Sequence, residues 1–260
     1  MPGTSLRRMS GVGWLEEVTS METVIPRRFN GPDNSGNGGY SAGSLARFID
    51  GPTEVRLHAP PPLDRPLRVE ETDVGFLAFD GDDRVMEAKE TGLDLVPPPP
   101  VSLSEAEDAT AGFPGWELHG ASSCFVCGPD RKYPDGLRIF PGLVAGRELV
   151  AAPWTPDVGL GDSNGLVSDT VIWAVLDCPG AWAGRAADPE GMPYFPTLGS
   201  MSAVIDEPVH VGERHVVMAW HIATERRKLY TEAVLYSEDG SVKSRARHIE
   251  IKVPADWASP

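Results

Sequence analysis

The stretch 166–183, Leu-Val-Ser-Asp-Thr-Val-Ile-Trp-Ala-Val-Leu-Asp-Cys-Pro-Gly-Ala-Trp-Ala, limits what this chain can fold into more than any other. Its middle, Val171 to Leu176, is apolar on every side of a helix, so it cannot be an amphipathic surface helix and has to be wrapped by other structure. Ser168 or Asp169 can cap its start. Pro179 has no N–H to give to the carbonyl of Val175, so the helix is expected to bend or end within a turn of Asp177. A single carboxylate in a wrapped helix with disturbed backbone is either a satisfied structural group or a working one.

With 260 residues, 41% of them hydrophobic, the chain can bury a core as one large domain or two small ones. Its 38 acidic against 23 basic residues, net charge −15, repel nucleic acid and anionic membranes, so neither is expected as a partner. No apolar run reaches bilayer length, and residues 1–20 lack the apolar core of a signal peptide, which points to a cytoplasmic protein without a membrane span. Three cysteines, Cys124, Cys127 and Cys178, are an odd count with no disulfide framework in their spacing.

Read in order, residues 1–20 have no period and form a tail, with Met21 a candidate start. A short strand over 22–28 leads into a Gly- and Asn-rich loop ending at Gly39. A helix is expected over 40–49 and a strand over 53–57, and two more strands, 73–79 and 84–89, flank the hairpin signal Asp80-Gly81-Asp82. Pro97–Pro100 and the small, acidic residues to Gly112 read as a linker. The same order then recurs: strands at 136–140 and 148–153, the wrapped helix, strands at 201–205, 215–223, 229–236 and 245–253, with Pro and Gly punctuation in matching places. This predicts a tail at 1–20, a first unit at 21–97, a linker at 98–118 and a second unit of the same plan at 119–256.

A helix apolar all round, followed by long antiparallel strands, suits a sheet curled around a central helix. In particular residues the chain resembles the hotdog-fold thioesterases. Asn37-Gly38-Gly39-Tyr40 resembles their small-residue helix entry, usually His-Gly-Gly. Leu176-Asp177 with Ala181 and Ala183 resembles the Leu-Asp of that helix in the phenylacetate-pathway and THEM-like members. Cys124-Phe-Val-Cys-Gly-Pro-Asp130 with Gly136-Leu137 resembles an opening segment common among hotdog proteins. The resemblance implies an α+β double hotdog, two tandem units each wrapping a helix.

It also implies one site. In the family the carboxylate follows the first glycine by about two helical turns. That spacing from Gly38 lands on Ala46, and back from Asp177 it lands on Asp169, where the glycine pair is missing. One copy keeps the glycines, the other the acid, so a single active site is expected at the seam of the halves and its mirror image is expected dead. The implied activity is hydrolysis of an acyl-CoA or acyl-carrier-protein thioester, without a metal or other cofactor, coenzyme A being part of the substrate. Asp177 would activate water or attack the carbonyl itself, and the amide of Gly38 or Gly39 at a helix N-terminus would hold the oxyanion. Asn30 would orient substrate or water; Asn37, Tyr40, Thr197 and Ser200 would line the substrate site, with Trp173 and Trp182 as candidates for its floor.

Other patterns carry less. His119, Cys124 and Cys127 have a spacing that could bind zinc, but no fourth ligand is close in sequence, so core cysteines and a turn are expected. The basic groups 226–228 and Lys243, Arg245, Arg247 could meet coenzyme A phosphates but read better as exposed charges balancing Glu225 and Glu232. A hotdog hydratase would need a His beside the acid, and none is placed for it. A non-catalytic acyl-ligand carrier or regulatory protein is the competing reading, and a homodimer of the whole chain is open.

Overall fold

The structure, a computed structural model, describes residues 21–188 and 194–258. The expected tail at 1–20 lies outside them. Eleven strands form one sheet: β1 (Met21–Val24), β2 (Thr53–Leu57), β3 (Pro66–Thr72), β4 (Gly75–Asp80), β5 (Asp83–Glu90), β6 (Gly142–Leu143), β7 (Val150–Trp154), β8 (Tyr194–Ile205), β9 (His215–Glu225), β10 (Lys228–Ser237) and β11 (Val242–Pro254). Among the described residues three α-helices accompany them, α1 (Gly38–Ala46), α2 (Leu103–Ala111) and α3 (Asp169–Ala186), besides short 3-10 turns. No helix among the described residues is long and apolar enough to cross a membrane.

The strand order is β1-β3-β4-β5-β2-β8-β11-β10-β9-β7-β6. With β1 matched to β7, β2 to β8 and so on to β5 and β11, the order reads the same from both ends, β6 being an extra edge strand. Its centre is the antiparallel β2–β8 pair, where Val55 faces Met201, both fully buried. The halves therefore join edge to edge, with α1 and α3 packed against each other across the join.

Each helix is made by its packing. α3 buries residues 171–180 continuously, with strands β8 to β11 and α1 around it. It does not end at Pro179: the helix runs on to Ala186, and Gly180 and Gly184 let β10 and β11 close onto it. A Cβ at Gly180 would lie 2.7 Å from the His248 ring, and one at Gly184 3.0 Å from Leu229. α1, Gly-Gly-Tyr-Ser-Ala-Gly-Ser-Leu-Ala, has poor intrinsic helix propensity. Gly39 and Gly43 lie one turn apart on the face toward α3. A Cβ at Gly39 would come 2.5 Å from the Trp173 carbonyl, and one at Gly43 2.8 Å from Trp173 Cβ, so the glycines set how close the helices can be.

Two expectations need correction, and one strand was not expected. The stretch after Pro100 is not a bare linker: Ser102 and Glu105 cap each other reciprocally to start α2, and Ala106 and Ala109 are buried against the second half. Residues 136–140 form no strand; Leu137, Ile139 and Phe140 are core residues of an irregular segment. Pro66–Thr72, whose alternation is masked by its charges, is strand β3. The basic residues of β11 are paired outward: Lys243 with Glu207, Arg245 with Asp206 and Arg247 with Glu232.

The same strand buries the opposite phase, Ser244, Ala246, His248 and Glu250. His248 lies between Thr231 on β10 (Oγ1 3.4 Å from Nδ1), Gly180 on α3 and Met201 on β8, with its Nε2 unpartnered among the described residues. Burial pushes its pKa from the ordinary 6.5 down to about 4. The folded protein thus keeps His248 neutral in a range where the unfolded chain protonates it. The resulting stability is complete above about pH 6.5 and is lost as pH falls toward 4, about 3 kcal/mol in all. The raised carboxylates described below act in the opposite sense, so the prediction concerns a difference. Between pH 7 and 4.5 the native protein should lose about 2–3 kcal/mol more in urea unfolding than the His248→Gln variant; parallel losses would contradict it.

Candidate active site

The loop before α1 delivers the first half of the site. Asn37 caps the helix, its Oδ1 accepting from the Tyr40 amide at 2.9 Å, and this directs its Nδ2 to Asp177 Oδ2, also at 2.9 Å. The Gly39 amide donates to the same oxygen at 2.9 Å. The carboxylate on α3 and the glycine entry of α1 thus meet across the seam. Asp177 is only 5% exposed and lines the adjoining cleft. Its Oδ1 makes no hydrogen bond to a described residue, which leaves that oxygen to a water or a substrate. Burial pushes the Asp177 pKa up to about 7, against the opposing pull of the Gly39 amide.

The Gly38 amide, first of the helix, has no hydrogen-bond partner among the described residues. A side chain at Gly38 would run into Leu198 Cβ at 2.7 Å, so the site accepts only glycine there without rearrangement. The cleft encloses about 260 Å³ and draws walls from both halves: Gly38, Pro60 and Pro61 from one, Trp182, Phe195 and Leu198 from the other. Most of that surface is apolar.

A second carboxylate, Glu250 of β11, lines the same cleft at 1% exposure, with Oε1 unpartnered among the described residues. Burial first, then the charge of Asp177, holds its pKa well above the usual carboxylate range. Two buried acids bordering one cleft disfavour each other's ionisation. Sequence reasoning missed Glu250, although a signal was present: with Lys243, Arg245 and Arg247 turned outward, period-2 alternation puts Glu250 inward.

The other expected site residues divide. Asn37, Gly38 and Thr197 line the cleft, and Gly39 stands behind it on the carboxylate. Asn30, Tyr40 and Ser200 do not line it. The Asn30 amide donates to the Gly31 carbonyl at 2.9 Å and to Ser123 Oγ at 3.0 Å and accepts from Arg131, so it staples the loop to segment 123–131. Tyr40 stacks on Phe29 with ring centroids 3.8 Å apart. Ser200 is buried on β8 opposite Arg56. Trp182 walls the cleft, while Trp173 borders a different cavity.

That other cavity, about 240 Å³, occupies the mirror position across the β2–β8 axis. Ala46 stands where Asp177 stands in the first, and Asp169 at the helix entry where Gly38 stands. It holds neither the glycine amides nor an acid on the matching turn. Finally, the fold gathers Cys178 with Cys124 and Cys127, all buried and free, a grouping that sequence distance concealed.

No protein-family model matches the sequence, and no curated protein does. Solved structures do resemble it in fold. The tesB protein of Mycobacterium avium subsp. paratuberculosis aligns over 92% of this chain and 95% of its own, with TM-score 0.59 and 12% identity. A conserved protein of unknown function with a hot dog fold from Alicyclobacillus acidocaldarius aligns over 96% of each chain, with TM-score 0.55 and 10% identity. A protein from Novosphingobium aromaticivorans described as a candidate thioesterase aligns over 88% of this chain and 93% of its own, with TM-score 0.53 and 12% identity.

Proposed function

From the premise that this chain is a double hotdog, we propose that it is a thioesterase, hydrolysing an acyl-CoA or acyl-carrier-protein thioester at the single seam site. One observation carries the reading. Asn37 and the Gly39 amide hold one oxygen of Asp177 and leave the other without a partner among the described residues, and Asp177 and Gly38 both line the same largely apolar cleft. The acyl chain lies along the Pro60, Trp182 and Phe195 walls, and the thioester carbonyl oxygen points at Gly38 N–H. There the helix N-terminus stabilises the negative charge that develops on attack. Asp177 Oδ1 takes the proton of the attacking water, or attacks in its own right to give an anhydride that water then opens. Collapse of the tetrahedral species expels the thiolate, which takes up a proton, leaving a free acid and a free thiol. Thr197 borders the cleft where its hydroxyl can hold the water. No step written this way calls on a metal.

A second reading has a specific observation behind it. The Gly39 amide, one of two donors the mechanism could use, is already occupied by Asp177, as it would be in a protein that holds acyl ligands without cleaving them. Thiol release from a panel of short, aromatic and long acyl-CoAs separates the two. Turnover on any member supports the enzyme, and its chain-length optimum sizes the cleft. Binding without turnover across the panel supports the carrier.

A further inference from the structure

Beside the seam lies a group that the mechanism does not use. Cys124 and Cys127 sit on a tight turn of segment 119–131, and Cys178 follows Asp177 on α3. The three sulfurs all lie within 4.8 Å of one another, with Cys124 and Cys178 Sγ 3.7 Å apart. His119 Nε2 is 3.3 Å from Cys127 Sγ. A tetrahedral divalent zinc, with bonds of about 2.3 Å to sulfur and 2.0–2.1 Å to nitrogen, requires sulfurs about 3.8 Å apart and a sulfur–nitrogen separation of about 3.6 Å. The Cys124–Cys178 and His119–Cys127 separations match those spacings to within a few tenths of an ångström; the remaining sulfur pairs lie within 4.8 Å, and His119, near Cys127 but outside the three-sulfur group, has to swing inward to complete the set.

Asn37 Nδ2 lies 3.6 Å from Cys178 Sγ. That N–H is the kind of support that a metal-bound thiolate receives from the shell around it. The turn itself is built for closeness: a Cβ at Gly128 would fall 2.4 Å from the Ser122 carbonyl and 2.5 Å from the Cys124 amide. The three cysteines also border the cleft, which gives an ion a way in.

We propose that Cys124, Cys127, Cys178 and His119 form a closed structural zinc site that pins segment 119–131 to α3 beside the seam. On binding, three thiols release three protons to solvent and the imidazole ligates through its Nε2 lone pair. In the metal-free form His119 Nδ1 accepts from the Ala121 amide at 3.1 Å, so Nε2 carries the proton. Ligation moves that proton to Nδ1 and releases the Ala121 bond, a local turn of the ring. With four protein ligands no position is open to substrate, so the zinc holds structure and takes no part in hydrolysis. The three cysteines are core residues, as expected; the third sulfur was not apparent from spacing because Cys178 follows Cys127 by 51 residues.

The full-length protein, purified under reducing conditions and without chelator, is assayed for metal by elemental analysis and then, stripped, titrated with cobalt(II). We expect one zinc per chain and a cobalt form with sulfur-to-metal charge-transfer bands and the strong visible bands of a tetrahedral site. Cys124→Ser and Cys178→Ser should lose stoichiometric metal. His119→Ala should keep the thiolate bands with clearly lowered affinity. If the serine variants fail to fold, the cobalt spectrum and stoichiometry of the unmodified chain decide alone. A reduced protein that holds no zinc and gives a featureless cobalt titration overturns the proposal, as does a Cys124–Cys178 disulfide in the freshly isolated chain. An unchanged affinity in His119→Ala overturns the fourth ligand. None of these outcomes depends on turnover, so this proposal and the thioesterase reading stand or fall separately.

Discussion

Asp177→Asn is expected to lower the turnover of the best thioester substrate on the order of 10³-fold, the usual range for loss of a general base, while acyl-ligand affinity changes by no more than a few-fold. The amide is nearly the same shape as the carboxyl group. Its oxygen can still accept from Asn37 Nδ2 and the Gly39 amide, so the seam keeps its geometry. What it cannot do is take a proton from water or attack a carbonyl, at the one oxygen the structure leaves free. Folding should survive, because burial already raises the Asp177 pKa to about 7 and the folded protein thus tolerates an uncharged group there. Steady-state thiol release gives kcat/KM, and calorimetry with a non-hydrolysable acyl-CoA analogue gives Kd. Turnover within tenfold of the parent would place the chemistry elsewhere; loss of ligand binding together with folding would make Asp177 a structural group.

The second large effect concerns stability. Gly39→Ala puts a methyl group 2.5 Å from the Trp173 carbonyl and 2.5 Å from Asp177 Cβ. Neither neighbour is the free end of a flexible chain, so the two helices have to separate. That should cost about 3 kcal/mol or more, at the upper end for overpacking. Gly43→Ala, with Trp173 Cβ at 2.8 Å and Thr170 Cα at 2.9 Å, should cost about 2 kcal/mol. Gly92, in open space with no positive φ, is the control; its alanine variant should be neutral or stabilising by up to about 1 kcal/mol. Urea unfolding of the three variants measures all of this. A Gly39→Ala protein as stable as Gly92→Ala would mean that α1 and α3 do not pack as closely as described.

The duplicated plan was legible because it rests on elements with strong local signals: a helix apolar on every side, long alternating strands, and paired Pro and Gly punctuation. The meeting of Gly39 with Asp177 was legible for a different reason. Each copy keeps a different half of one pattern, and the complementarity shows in one dimension. What stayed hidden depends on contacts between distant segments. Cys178 joins Cys124 and Cys127 only when α3 docks on segment 119–131. Glu250 enters the cleft only because β11 presents one phase of its alternation inward. Asn30 shows the opposite error. Its position near the loop suggested a role with substrate, but its amide is consumed by Gly31, Ser123 and Arg131. The capping box at Ser102 and Glu105 could have been read, but the prolines before it drew the segment toward a linker.

In the proposed mechanism one seam works and its mirror does not. The most direct test is thiol release from the best acyl-CoA substrate by three proteins side by side: the unmodified chain, Asp177→Asn and Asp169→Asn. Asp169 borders the mirror cavity opposite Ala46. The account predicts that the unmodified chain and Asp169→Asn turn over at the same rate within about twofold, while Asp177→Asn falls on the order of 10³-fold. Equal losses in both variants, or a loss confined to Asp169→Asn, would contradict it.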